Sequence, residues 1–114
     1  WGTLLARLQK RSDLNLAITY AFAHEHESLD DEEALNGLSN MLNARCGDVE
    51  AIILLKETSD GHIKGSCRST QRDISKFCAI FGGGGHKKAA GFKVRGKLEA
   101  LPAGGVRIIP FSSQ

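Results

Sequence analysis

Hydrophobic and polar residues alternate along much of the chain, and this pattern predicts strands. Apolar side chains recur at every second position from Leu14 to Phe22, from His62 to Arg68 and again from Ala90 to Arg95. The stretch from Val49 to Glu57 holds an unbroken apolar run, which is typical of a central strand buried on both faces. Ser59-Asp60-Gly61 then predicts a hairpin turn into the following strand.

Three stretches have helical spacing instead. Apolar residues at helical intervals predict a short helix from Gly2 to Lys10, a second from Leu29 to Ala44, and a third from Asp73 to Phe81. The acidic run Asp30 to Glu33 falls in the first turn of the second helix, where negative charge favours the helix dipole. Asp73 is a suitable N-cap for the third.

These elements predict an α/β fold with a four- or five-stranded mixed sheet flanked by helices. Val106 to Ile109 could add a short final strand to that sheet or belong to an irregular tail. The 114 residues are enough for a single domain with one core. Since the chain starts at Trp1 without an initiator methionine, we expect it to be a piece of a longer protein.

Composition and charge narrow the possible functions. The net charge of +2 argues against a strongly basic nucleic-acid coat, although a local basic patch is compatible with it. No run approaches the roughly 18 apolar residues of a membrane span, and the start does not resemble a signal peptide. Cys46, Cys67 and Cys78 have no paired spacing, so we expect reduced thiols in a cytoplasmic protein.

Four consecutive glycines, Gly82 to Gly85, join the third helix to the last clear strand. A helix C-cap explains one or two of them, but each further glycine costs about 1 kcal/mol of stability relative to alanine. Close approach of a ligand to backbone amides explains the rest, and phosphate is the usual ligand of such amides. His86 follows the run directly and can donate to a phosphate. Lys87 and Lys88 come next, either as phosphate contacts or as solvated surface charge.

Arg68 is the second candidate phosphate ligand, because a guanidinium can bind phosphate through two parallel hydrogen bonds. Ser66 lies on the same face of its strand, while Ser69 and Arg72 are weaker neighbours. A salt bridge on the surface is the alternative for Arg68. The run His24 to Glu27 contains two histidines but lacks further ligands at a recognisable spacing, so we interpret it as a polar loop rather than a metal site.

Three segments together resemble one family. Ser66-Cys67-Arg68-Ser69, the helix start Asp73 to Phe77, and GGGGHKKAAGF from Gly82 to Phe92 are similar to the DHH-associated C-terminal domain, first type, of the DHH phosphoesterases. The resemblance covers roughly residues 14–95. Cys67 stands where an aliphatic residue is more usual, and the tail after Lys97 does not match the family's ending.

The resemblance implies a division of labour. In that family an N-terminal domain with an Asp-His-His motif holds two manganese ions, and the C-terminal domain grips the substrate. No such motif occurs in this chain, so we expect substrate binding here and hydrolysis in an N-terminal catalytic domain that this chain lacks. The predicted substrate-binding residues are Arg68, Ser69, Ser66, Gly82, Gly83, Gly84, Gly85, His86, Lys87, Ala90 and Gly91.

The expected partner is a nucleotide or a short single-stranded nucleic acid, since a modest charge suits a short ligand. The family includes nucleases, mononucleotide phosphatases and cyclic dinucleotide phosphodiesterases, and the sequence does not select among these branches. Two other functions remain open. One is an RNA-binding accessory domain of the kind attached to alanyl-tRNA synthetases, and the other is a homodimerisation module.

Overall fold

A computed structural model describes residues 7–11, 13, 15–25, 30–45, 50–70 and 72–111. Side chains of residues 11, 31 and 41–45 are outside this description, as are Cys46, His26 and Glu27 from the predictions above. The elements in chain order are β1 (Gln9–Arg11), β2 (Leu16–Ala21), a 3-10 turn (Ala23–Glu25), α1 (Asp31–Arg45), β3 (Ala51–Glu57), β4 (His62–Ser69), α2 (Ile74–Ile80), β5 (Gly84–Gly85), β6 (Ala89–Ala100) and β7 (Val106–Pro110).

The strands form a mixed sheet in the order β1-β2-β3-β4-β6-β5, and β7 pairs with the far half of β6. Only β2 and β3 run parallel among the described strands, and α1 makes the crossover between them. The α/β class and the single compact domain are confirmed, but the predicted count of four or five strands is wrong. The described residues contain seven strands. The prediction missed β1 and β5 because strands of three and two residues are too short to give a periodic signal.

The predicted first helix needs correction. Residues 1–6 lie outside the described part of the chain, but Gln9–Arg11 is a strand. It pairs antiparallel with β2, with Gln9 opposite Ile18 and Arg11 opposite Leu16. The correction concerns only the end of the predicted helix: Arg7 is helical, whereas Gln9 and Lys10 belong to the strand that pairs with β2.

The sheet has a separate hydrophobic layer on each face. On one face, α1 buries Leu35 and Leu38 against Ile52 and Leu54 of β3. On the other face, α2 packs Ile74 and Cys78 against the alternate residues of β3, β4 and β6. Because β3 contributes to both layers, its first five residues are buried, as the unbroken apolar run predicted.

An aspartate caps the start of each helix, as the sequence predicted for Asp73; Asp30, which was predicted to lie in the first turn, precedes α1 instead. The Asp30 carboxylate accepts hydrogen bonds from the backbone amides of Glu32 and Glu33, at 2.9 and 3.3 Å. Asp73 accepts from the amide and the hydroxyl of Ser75, and these bonds lower the pKa of its carboxyl group. In the described part of the chain, no helix is long and apolar enough to cross a membrane.

Candidate functional site

Strands β4, β6 and β5 bring the predicted residues into register. Arg68 lies directly opposite Ala89, Ser66 lies opposite Gly91, and Gly91 lies opposite Gly84 on its other side. Side chains at opposed positions point to the same face of a sheet. These positions therefore lie on the same face of the sheet as α1. They are on β4, β6 and β5, whereas α1 packs mainly against β3.

His86 continues this arrangement just past β5. Its backbone amide donates to the carbonyl oxygen of Ala89 at 2.8 Å, and the Ala89 amide donates back at 3.3 Å. Ala89 thus lies between Arg68 and His86 in one row across the strands. Neighbouring strands are about 4.8 Å apart, so the backbones of Arg68 and His86 are separated by about 10 Å. The side chain between these two positions is the short methyl group of Ala89, and we call the space above it, between the two positions, the slot.

Two residues of α1 orient Arg68. Its Nη1 donates to Asn36 Oδ1 at 3.0 Å, and its Nη2 lies 2.8 Å from Glu32 Oε1. The Arg68 side chain is 25% exposed, whereas that of Glu32 is 79% exposed. The guanidinium of Arg68 is therefore already oriented by the chain. An anion that bound it would compete with the carboxylate of Glu32, whose attraction is weakened because it is exposed to water. Glu32 and Asn36 were not predicted, because residues on separate elements give no spacing signal.

Arg68 lies between two openings. One is a groove of about 350 Å³ bordered by Glu32, Ser66 and Gly84. The other is a pocket of about 280 Å³ on the side of Asn36 and Lys88. The guanidinium can therefore be reached by a ligand from either side.

Gly82 and Gly83 complete the end of α2. Gly82 has a φ of +82°, and its amide donates to Ala79 O, while the Gly83 amide donates to Cys78 O. These are the two hydrogen bonds of a Schellman cap. A Cβ on Gly83 would also lie 2.1 Å from the carbonyl oxygen of Gly91. The amides of both glycines are thus occupied within the chain, and both positions have a structural reason for glycine.

Gly84 and Gly85 differ from each other. Gly85 has a φ of +145° and packs against the backbone of Ala90, which excludes a side chain. Gly84 has no such constraint: a Cβ there would meet no atom within 4 Å among the described residues. It borders the groove, and no contact with the described residues requires glycine at this position.

The backbone amide of Gly85 also points outward. Because His86 and Ala89 form a hydrogen-bonded pair, the alternation of the ladder makes Gly85 and Ala90 a non-hydrogen-bonded pair. The Gly85 N–H is therefore directed away from β6, at the edge of the sheet. Of the four glycines, this is the amide best placed to meet a ligand.

The remaining predicted residues have mainly structural contacts, although Ser69 borders the pocket and Ala90 borders the groove. The hydroxyl of Ser69 donates to Glu50 O and accepts from the Arg72 amide, both at 2.9 Å, and the residue is 7% exposed. Ala90 packs against the core on the opposite face. The Lys87 side chain is exposed at a tight turn, where its carbonyl oxygen accepts from the Ile74 amide.

The described residues do not offer a manganese site. No three His, Cys, Asp or Glu side chains cluster among them. Of the run His24 to Glu27, the described histidine stacks on Phe22, and Glu25 pairs with Arg7 at 2.6 Å.

The sequence and the fold together place this chain in one family of domains. Residues 14–103 match the DHHA1 domain, and the chain belongs to this family of domains, which accompany the DHH phosphoesterases. The resemblance drawn from the glycine-histidine segment is thereby confirmed. No curated protein has a sequence that matches the chain.

Two solved structures are similar to it. An exopolyphosphatase-related protein from Bacteroides fragilis is 26% identical, with a TM-score of 0.65, over 80% of this chain and 27% of that one. A pGpG-specific phosphodiesterase from Vibrio cholerae is 12% identical, with a TM-score of 0.57, over 82% of this chain and 31% of that one, which shows a shared fold. The chain thus spans about a third or less of their length.

Proposed function

We propose that this domain grips a phosphate group of a nucleotide or short oligonucleotide for a DHH-family phosphoesterase. Arg68 and His86 bind the phosphate from two sides, while Ser66 and the outward amide of Gly85 donate further hydrogen bonds. The observation that carries the proposal is the row Arg68, Ala89 and His86, in which the central residue is too small to fill the gap.

The chemistry of the row suits an anion. A guanidinium offers a planar pair of donors, and its orientation by Asn36 fixes that pair before a ligand arrives. An imidazole adds a donor and, when protonated, a second positive charge. Gly84 lets the ligand approach the sheet closely, as no side chain would stand between the ligand and Gly91.

Cleavage of the ester bond belongs, in this proposal, to a manganese-holding Asp-His-His domain across a cleft. The proposal draws on the family, whose members pair the two domains, and on the lack of a metal cluster among the described residues. The domain alone would then bind substrate without hydrolysing it. The whole enzyme, with both domains, would hydrolyse phosphodiester or phosphomonoester bonds.

Calorimetric titration tests the grip. Adenosine 5′-monophosphate and a 5′-phosphorylated dinucleotide would be titrated into the wild type, Arg68→Ala and His86→Ala. Loss of a charge-assisted hydrogen bond of about 1.5–3 kcal/mol predicts a fall in affinity of about tenfold or more. Arg107→Ala is the matched control, because Arg107 pairs with Glu99 near β7, away from the slot. Equal affinity in all four proteins would reject the proposal, and tighter binding of tRNA than of either nucleotide would favour the accessory-domain alternative.

A further inference from the structure

The pocket on the Asn36 side of Arg68 brings together α1, β3 and β4. Asn36 and Ser39 come from α1, where residues three positions apart lie on the same side of the helix. Ile52 comes from β3, and Thr70 follows the end of β4. The sequence pattern did not single out this pocket, because its residues come from separate parts of the chain.

This pocket combines apolar and polar lining. Ile52 and Ala89 lie on either side of Arg68 in the row across the sheet, and both border the pocket. Ser39, which is half-buried, and Thr70, which is exposed, add hydroxyl groups. Sites for small organic ligands have this composition, in which an apolar surface supplies contact area and a few polar groups fix the orientation.

Hydrogen bonds within the chain fix one wall of the pocket. The Glu50 carbonyl oxygen accepts from the Ser69 hydroxyl at 2.9 Å and from the Thr70 amide at 3.1 Å. The Ser69 amide in turn donates to the Lys88 carbonyl oxygen at 2.9 Å. The segments at the start of β3, at the end of β4 and before β6 are therefore held together, and a ligand has little backbone left to order.

The amide of Asn36 has a fixed orientation. Arginine has no acceptor, so the atom of Asn36 that lies 3.0 Å from the guanidinium of Arg68 must be the oxygen Oδ1. The amino group Nδ2 is then the other end of the amide, and its N–H donors are the part that can bind a ligand. Such donors pair with the ring nitrogens and carbonyl oxygens on the edge of a nucleobase.

The charged groups beside the pocket favour a neutral ligand group over a second phosphate. Glu50 borders the pocket, and its carboxylate lies 3.3 Å from Arg72 Nη2. Lys88 borders the pocket as well, so groups of both signs are present. A carboxylate repels a phosphate but can accept a hydrogen bond from the amino group of a base. Recognition by shape and hydrogen bonds does not depend on the net charge of this face.

The pocket adjoins the slot. Arg68 and Ala89 border both the pocket and the groove on the other side of Arg68, and the slot lies above Ala89. A phosphate held in the slot therefore lies beside the pocket, within reach of the group that the phosphate carries. At about 280 Å³ the pocket is slightly smaller than the range of about 300–1,000 Å³ for sites that hold a whole ligand. This size suits one part of a ligand, such as a base.

We propose that this pocket binds the base of the nucleotide whose phosphate is held in the slot. The base lies against Ile52 and Ala89, and the amino group of Asn36 donates to an acceptor on its edge. This inference rests on the proposed function, since it takes the slot as the phosphate site. It makes the domain selective for nucleotides over sugar phosphates.

The test compares adenosine 5′-monophosphate with ribose 5-phosphate, which carries the same phosphate and sugar but no base. Both are titrated calorimetrically into the wild type, Ser39→Leu and the control Asn40→Leu. Leucine at position 39 fills part of the pocket and suits a helix. Asn40 is exposed on α1 and is not among the described residues that line the pocket.

The base should contribute to affinity only where the pocket is open. A hydrogen bond to the base adds up to about tenfold, so the wild type and Asn40→Leu should bind adenosine 5′-monophosphate about tenfold more tightly than ribose 5-phosphate. Ser39→Leu should bind the two probes equally. Its affinity for ribose 5-phosphate should stay at the wild-type value.

Two outcomes would overturn the base pocket. One is equal affinity of the wild type for both probes, a result that needs no variant. The other is a folded Ser39→Leu that keeps the wild-type preference for adenosine 5′-monophosphate. If circular dichroism shows that Ser39→Leu is unfolded, Ser39→Met, whose side chain is more flexible, takes its place.

The variant Arg68→Ala separates this inference from the proposed function. If it leaves ribose 5-phosphate binding intact while Ser39→Leu still weakens only adenosine 5′-monophosphate binding, the slot is wrong and the base pocket stands. If Arg68→Ala weakens the binding of both probes and Ser39→Leu weakens neither, the slot stands and the pocket does not hold the base.

Discussion

Gly83 is packed so tightly against Gly91 that a Cβ atom on the first would lie 2.1 Å from the carbonyl oxygen of the second. One residue further on, the same atom on Gly84 would meet open space. Adjacent glycines of one loop thus serve different purposes. Gly83 lets the loop lie against β6, whereas Gly84 keeps the groove clear.

The variants Gly83→Ala and Gly84→Ala should therefore separate stability from binding. We expect Gly83→Ala to lower the free energy of unfolding by about 1–3 kcal/mol or more, because the backbone of β6 must shift. Gly84→Ala should leave that free energy unchanged or slightly higher, and it should weaken nucleotide binding instead. Urea unfolding and calorimetric titration measure the two effects. Equal destabilisation by both variants would contradict this assignment.

Removing the carboxylate of Glu32 should tighten the grip on phosphate. Glu32 Oε1 lies 2.8 Å from Arg68 Nη2, so it competes with an anionic ligand for the guanidinium. An exposed ion pair is worth up to about 1 kcal/mol, so Glu32→Gln should raise nucleotide affinity by up to about fivefold. Glu33→Gln removes a neighbouring exposed charge from the same helix and is the matched control. A fall in affinity for Glu32→Gln would show instead that the pair is needed to position Arg68.

Cys67 and Cys78 should be inert in the folded protein. Their Sγ atoms are 3.4 Å apart in the core, and burial raises the pKa of both thiols. Thiolate is the reactive form, so neither residue should react with iodoacetamide until urea unfolds the chain. Peptide mass spectrometry can follow the two sites separately from Cys46. Rapid labelling of either site under native conditions would mean that the β4–α2 contact opens readily.

The ion pair between Glu25 and Arg7 should add stability that disappears in acid. The hydrogen bonds from the guanidinium, at 2.6 and 2.7 Å, are the main reason that the pKa of Glu25 is lowered to about 2. A lowered folded-state pKa stabilises the native state above the unfolded value of about 4.3, and this contribution is lost as the pH falls towards 2. Because the pair is partly exposed, Glu25→Gln should cost about 1 kcal/mol or less near neutral pH. Urea unfolding of both proteins at pH 6 and pH 3 should show the difference shrinking, and a constant difference would reject the pair as its cause.

Local patterns were sufficient for the elements that bury a face. The strand at Ala51–Glu57, the hairpin that follows it and the helix capped by Asp73 all lie where the sequence predicted them. The prediction failed for the short strands, which form because a neighbouring strand is available to pair. Gln9–Arg11 is a strand because it pairs with β2, and Gly84–Gly85 is one because it pairs with the edge of β6 that faces away from β4.

The candidate site also contains some features that the sequence could predict and others that it could not. Arg68 and His86 could be selected from residue type and from the segments around them. The orientation of Arg68 by Asn36, and the opposition of Arg68 and Ala89, depend on sheet register and helix placement. Those relations join residues that are far apart in the sequence, and no local period encodes them.

The turn that follows the glycines has a kinetic consequence. The carbonyl oxygens of Lys87 and Lys88 accept amides from Ile74 and Ser69, so α2 and β4 hold the turn from both sides. A loop fixed in this way loses little conformational freedom when a ligand arrives. Encounter should then be rapid for every phosphorylated ligand, and selectivity should appear in how long each one stays bound.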